Sequence, residues 1–293
     1  MHSVELIVDA QAILGEGPIW DERRNLLWWV DIITGKLHAY DPITDAARAI
    51  DTEPLFGTVV VRESGGLLGA YHDGFHYLDP ETGTRTLISD PESDKPDNRF
   101  NDGKCDPQGR LWAGTMAIEG PYSEPKGSLY CLGLDESVER KIDAVTISNG
   151  IGWSPDGRWM YYVDSPERTV SRFEFDGKTG EISKPTRVIS YPKKGGVPDG
   201  LVVDAEGMLW VAQFGGGCVV RWNPENGEKL TEIQLPAKQI TACTFGGPGL
   251  KDLYITSARV GLSDSELAEQ PQAGGLFRVR GAGRGMLANR FGG

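Results

Sequence analysis

The chain has 293 residues, 42 of them acidic and 30 basic, giving a formal net charge of −12. That balance excludes strong nucleic-acid and anionic-lipid partners, which are held through basic faces that release counterions. With 39% hydrophobic and 25% charged residues, the composition is globular, and no uncharged apolar run approaches the roughly 20 residues of a membrane helix.

In chain order, VELIVD at residues 4–9 alternates as a strand does and is expected to complete the last sheet of a closed ring. No secretory leader is expected, since no basic, apolar or small-residue cleavage pattern opens the sequence. Then EGPIWDERRNLLWWVD runs from Glu16, a pattern of polar residue, Gly, apolar run, turn and strand. A weaker copy, TVVVRESGGLLGAY, starts at Thr58, and NDGKCDPQGRLWAGT from Asn101 keeps the frame with its glycine moved by one. NGIGWSPDGRWMYYVD from Asn149 and DGLVVDAEGMLWVAQ from Asp199 are strong copies; TACTFGGPGLKDLYIT from Thr241 is weak. The tail GAGRGMLANRFGG reads as loosely held over roughly its last ten residues.

The residues before the turns (Trp20, Val61, Cys105, Trp153, Val203 and Phe245) are spaced by 41, 44, 48, 50 and 42, a propeller-blade period. PQG, PDG and AEG are turn tripeptides, and the aromatic, β-branched runs after them are strands. The expected fold is all-β: a single six-bladed β-propeller domain over residues 1–293 with a central metal site. The 39 glycines, about twice ordinary usage, are largely its punctuation.

Four residues before each turn marker stand Glu16, Gly57, Asn101, Asn149, Asp199 and Thr241, polar in five of six repeats. Equivalent positions of innermost strands converge on the propeller axis. Asn-Gly and Asp-Gly pairs such as Asn149-Gly150 and Asp199-Gly200 read singly as turns, but polar residues of differing type at one register favour a shared site. Two crowded carboxylates with amide oxygens beside them suit a hard divalent cation. The four histidines, His2, His38, His72 and His76, all fall outside this ring, which disfavours a His-rich zinc site or a Ser-His-Asp triad. His72 and His76 flank an Asp-Gly pair and read as hairpin neighbours. Cys105, Cys131, Cys218 and Cys243 form no C-x-x-C pair and suit a reduced, cytoplasmic setting.

LGEGPIW (14–20), RFNDGKCDPQGRLWAGTM (99–116), SNGIGWSPDGRWMYYVD (148–164) and PDGLVVDAEGMLWVA (198–212) resemble the gluconolactonase, regucalcin (senescence marker protein) and luciferin-regenerating-enzyme family. The resemblance runs from about residue 12 to residue 280, and TSARVGLSDSELAEQPQAGGLFRV near the end is closer to its bacterial sugar lactonases. It implies a six-bladed propeller holding one divalent ion, Ca²⁺ first, with Zn²⁺, Mn²⁺, Mg²⁺ or Fe²⁺ also compatible. It further implies Glu16, Asn149 and Asp199 as metal ligands, and Arg99, Asn101 and Glu119 as substrate contacts. The expected activity is hydrolysis of a sugar lactone, such as glucono-, xylono- or arabinonolactone, to the aldonic acid. Asp199 is the candidate general base, as a carboxylate at the ion's edge can take a proton from water. A metal that polarises C=O can also polarise P=O, so organophosphate or aryl-ester hydrolysis is one rival and a non-catalytic calcium-binding propeller another. A monomer or weak homo-oligomer is expected.

Overall fold

The structure, a computed structural model, describes residues 3–120, 122 and 124–293; His2 lies outside the described residues. Its strands form six four-stranded antiparallel sheets. The first blade contains Gly15–Asp21, Leu26–Asp31, Lys36–Asp41 and Ala46–Asp51, from the axis outward. The innermost strands of the other five are Phe56–Val61, Asn98–Cys105, Ser148–Trp153, Val197–Val203 and Ile240–Gly246. Each innermost strand packs against the next, and the sixth against the first, as expected of a six-bladed propeller.

Sequence dictates the radial layering. Innermost strands such as Phe56–Val61 and Ser148–Trp153 are buried along their whole length, whereas the outermost Ala46–Asp51 is mostly exposed. Charged outer strands, VERKIDAV of Val138–Val145 among them, leave the sheet edge a poor template for pairing. The turn between first and second strands is built alike in several blades. Gly109, Gly157 and Gly207 take φ of +86°, +67° and +81°, where a side chain would be strained. Beside two of these turns, Asp106 and Asp204 each accept the indole N–H of Trp112 and Trp210 at 3.0 Å.

The ring closes as the alternation at residues 4–9 predicts: Val4–Val8 pairs antiparallel with Leu276–Val279 in the sixth sheet. Across this seam Arg278 Nη2 donates to Glu5 at 2.8 Å. The YHDGFHY hairpin differs in register from its reading. Tyr71 faces Gly74, so His72 and Asp73 form the turn, and His76 lies opposite Gly69. Among the described residues no helix is long and apolar enough to cross a membrane.

The tail expected to be loose is instead docked. Phe291 is fully buried in the core of the first three blades. Its N–H donates to Val61 O at 2.9 Å, Arg290 Nη2 reaches Asp21 at 3.1 Å, and Asn289 Nδ2 donates to Cys105 O at 3.1 Å. Its polar residues find partners at the C-terminal ends of the innermost strands, and its phenyl ring finds the core. The tail also contributes Met286 and Leu287 to the lining of a cavity of about 230 Å³ bounded by Ile151, Val202 and Ala242 among others.

Candidate functional site

All six innermost strands slip register by one residue at the same point. The breaks fall between Glu16 and Ile19, Phe56 and Thr58, Phe100 and Gly103, Ser148 and Ile151, Pro198 and Leu201, and Ile240 and Cys243. A bulge re-aims the side chain it frees, and the ring predicted from the repeat sits at these bulges. The residue following each ring position is Gly17, Thr58, Asp102, Gly150, Gly200 and Ala242 in turn. Where that residue is Gly200 the space is tight, since a Cβ on it would stand 2.5 Å from the Ala242 Cβ. Blade three alone places a carboxylate, Asp102, at this position. Sequence reasoning missed it, although the displaced glycine of NDGK was its signal.

The structure brings five of the expected polar residues into one buried group, with Glu16, Asn101 and Asn149 at 5%, Asp199 at 4% and Arg99 at 7% exposure. Arg99 does not pair with Asp94 or Asp97; its Nη1 donates to Asn101 Oδ1 at 2.7 Å and Phe100 O at 3.0 Å. Asn101 Nδ2 donates to Ser148 O at 2.7 Å and Asn149 Oδ1 at 2.9 Å. Thr241 does not join them: its buried hydroxyl donates to Gly15 O at 2.5 Å, lacing the last blade to the first. Glu119 is exposed, two residues past the strand Leu111–Ala117, outside the buried group. Three residues on stands Tyr122, exposed over much of its side chain, whose hydroxyl is held above its usual pKa by partial burial and then by the nearby Asp199 carboxylate.

Ionisation is costly in this space. Burial, then the neighbouring Asp102 carboxylate, pushes Glu16 up to about 8. Asp199 is held well above the usual carboxylate range by burial and then by Glu16 and Asp102. Burial likewise raises Asp102 and lowers Arg99 to about 10. Lys104, whose ammonium donates to Leu201 O, is the other nearby cation. Fully ionised, three carboxylates against two cations leave one negative charge uncompensated.

This donor set fits a divalent cation. Asp199 Oδ1 is buried with no hydrogen-bond partner, and Glu16 Oε2 accepts from its neighbour Gly17 at 3.2 Å. Asn149 Oδ1 accepts one N–H and keeps a second lone pair. Among the described residues no three His, Cys, Asp or Glu side chains are grouped for a metal, so an ion held by Glu16 and Asp199 needs a neutral oxygen, which Asn149 can give. An all-oxygen set suits hard cations.

Residues 14–259 match the family model described as SMP-30/Gluconolactonase/LRE-like region. The Bacillus subtilis (strain 168) protein YvrE, provisionally named a sugar lactone lactonase, is 40% identical over 275 residues, covering 94% of each chain. Regucalcin of Danio rerio is 41% identical over 280 residues, covering 96% of this chain and 95% of its own. Among solved structures, luciferin-regenerating enzyme aligns with a TM-score of 0.94 at 32% identity over the whole of both chains. The calcium-binding protein regucalcin of Agrobacterium tumefaciens also aligns at 0.94, with 31% identity over 99% of this chain and 97% of its own.

Proposed function

The chain belongs to the SMP-30/Gluconolactonase/LRE-like family, and from that premise we propose that it is a cation-dependent lactonase opening a sugar lactone to its aldonic acid. The observation that carries this reading is the buried, unpartnered Asp199 Oδ1, on a carboxylate that a second buried carboxylate, Glu16, repels. Glu16, Asn149 and Asp199 would hold one divalent ion, Ca²⁺ first, which when bound supplies Lewis-acid polarisation of the lactone carbonyl.

The chain's own residues do the rest. Asp199 receives the proton of the water that attacks the carbonyl carbon. Arg99 is fixed by Nη1 to Asn101, and its other N–H groups orient the ring hydroxyls. Both N–H groups of Asn101 are given to Ser148 and Asn149, so toward substrate it can offer only an acceptor. Glu119 would meet substrate from the exposed loop that also carries Tyr122.

The test is a panel of aldonolactones with protein stripped of metal and reconstituted with one cation at a time. Acid release above spontaneous ring opening, dependent on the added ion, is the expected result. Rates equal to spontaneous opening for every lactone and ion would leave a cation-binding propeller without turnover. Faster cleavage of a phosphotriester than of any lactone would reassign the substrate.

A further inference from the structure

Ser165 is a buried hydroxyl, 2% exposed, that no step above uses. It opens a short 3₁₀ turn, Ser165–Glu167, directly after the second strand of blade four. Asn149 Nδ2 donates to its Oγ at 2.8 Å, and its own O–H donates to Pro198 O at 2.7 Å. The bonds continue in the other direction through Asn149 Oδ1 to Asn101 Nδ2 at 2.9 Å and through Asn101 Oδ1 to Arg99 Nη1 at 2.7 Å. The chain thus crosses blades three, four and five and ends one residue before Asp199.

Its direction is fixed at both ends. A guanidinium can only donate, so Asn101 must present oxygen to Arg99 and its NH₂ to Asn149. A carbonyl can only accept, so Ser165 must give its proton to Pro198 O, which leaves its lone pairs to receive the NH₂ of Asn149. A flipped Asn149 amide would set oxygen against Ser165 Oγ, with no proton between them, and NH₂ against the NH₂ of Asn101. Both mismatches would be buried, where unpaired polar groups are most penalised.

We propose that Ser165 is a positioning residue for cation binding: it locks the Asn149 amide with oxygen, not NH₂, offered to the ion, and ties that amide to the strand carrying Asp199. The inference rests on the reading of Glu16, Asn149 and Asp199 as the cation's ligands and adds a residue that does not touch the ion.

The experiment is calorimetric titration of Ca²⁺ into metal-stripped wild type, Ser165→Ala, Ser165→Thr, Asn149→Ala and the double variant Ser165→Ala/Asn149→Ala, with the melting temperature of each metal-free protein. Ser165→Ala should weaken Ca²⁺ binding about tenfold or more, the loss of one well-placed interaction. Ser165→Thr, which keeps the hydroxyl, should stay within about threefold of wild type. In the Asn149→Ala background, removing Ser165 should change affinity no further, because its effect passes through that amide. An unchanged Kd for folded Ser165→Ala overturns the proposal, as does an equal loss with and without the Asn149 amide. Should Ser165→Ala not fold, Ser165→Cys, with its weak thiol donor, carries the same predictions. Wild type that binds no Ca²⁺, Mg²⁺ or Mn²⁺ would instead overturn the underlying ligand assignment.

Discussion

Gly150 lies so close to Asp199 that a Cβ built on it would stand 2.6 Å from the Asp199 carbonyl oxygen and 2.7 Å from Leu201 N. The residue following one proposed ligand therefore sets how near the strand of another can come. Gly150→Ala should push backbone against backbone, destabilising the protein by about 1–3 kcal/mol as overpacking does, and should weaken Ca²⁺ binding with it. Thermal denaturation and cation titration check this. A variant as stable and as tight-binding as wild type would show that the two strands separate freely.

Asp199→Asn should lower kcat on a sugar lactone by about 10²-fold or more, the range expected for losing a general base. The variant's melting temperature should not fall in metal-free protein, because a carboxylate crowded by Glu16 and Asp102 has been made neutral. Glu16→Gln should act first on cation affinity. Steady-state kinetics corrected for spontaneous ring opening, run beside calorimetry, separate the two effects, and wild-type turnover in Asp199→Asn removes its assignment as base.

Chelation should act in the same direction as Glu16→Gln. Exhaustive removal of divalent ions should reduce hydrolysis to the spontaneous rate, and restoring Ca²⁺ should recover it and raise the melting temperature, since an ion that binds only the folded chain stabilises it. Full activity after chelation would refute the role of the cation.

His38 gives folding stability one pH dependence. It is stacked on Trp29 with ring centroids 4.8 Å apart, its Nε2 is buried without a partner, and burial lowers it to about 4. Because the folded value lies below the unfolded one, near 6.5, the neutral ring stabilises fully above pH 6.5. That contribution, on the order of 3 kcal/mol, is lost as pH falls toward 4. His38→Phe keeps an aromatic ring and removes the proton site. Its melting temperature should decline less than that of wild type between pH 6.5 and 4; parallel declines would clear His38 of this role.

Phe291→Ala should destabilise by about 3–5 kcal/mol, as for other fully buried aromatic truncations, because Phe291 is 0% exposed. Urea denaturation measures it, and an unchanged midpoint would restore the view of a loosely held tail.

The repeat made the architecture legible. A turn signal every 41 to 50 residues predicts six blades, and the alternation of residues 4–9 predicts the closing strand, since both signals are local. Site register was legible for the same reason: Glu16, Asn101, Asn149 and Asp199 occupy one repeat position, and each meets the axis because its strand bulges there. Asp31 and Asp164 also recur, ending LWWVD and MYYVD. Their carboxylates cap the approach to the site, accepting Ile13 and Leu14 N–H at 3.0 Å and Thr146 and Ile147 N–H at 2.9 Å. Ser165, by contrast, stands where the first blade has Ile32, so repetition gives no sign of it.

Sequence alone thus determined the number of blades, the strand that closes the ring and the register at which polar side chains converge, because hydrophobic period and turn chemistry are written in neighbouring residues. Tertiary structure decided which of those side chains are free for a ligand. Thr241 is taken by Gly15, 226 positions away in the chain, whereas Arg99 is anchored to Asn101 through one nitrogen, Nη1. The Asn149 amide is oriented by a serine whose own partner belongs to the next blade, and the tail is held by the rims of blades it follows by more than 180 residues. Hydrogen-bond direction and burial depend on which distant groups meet, and only the closed ring brings them together.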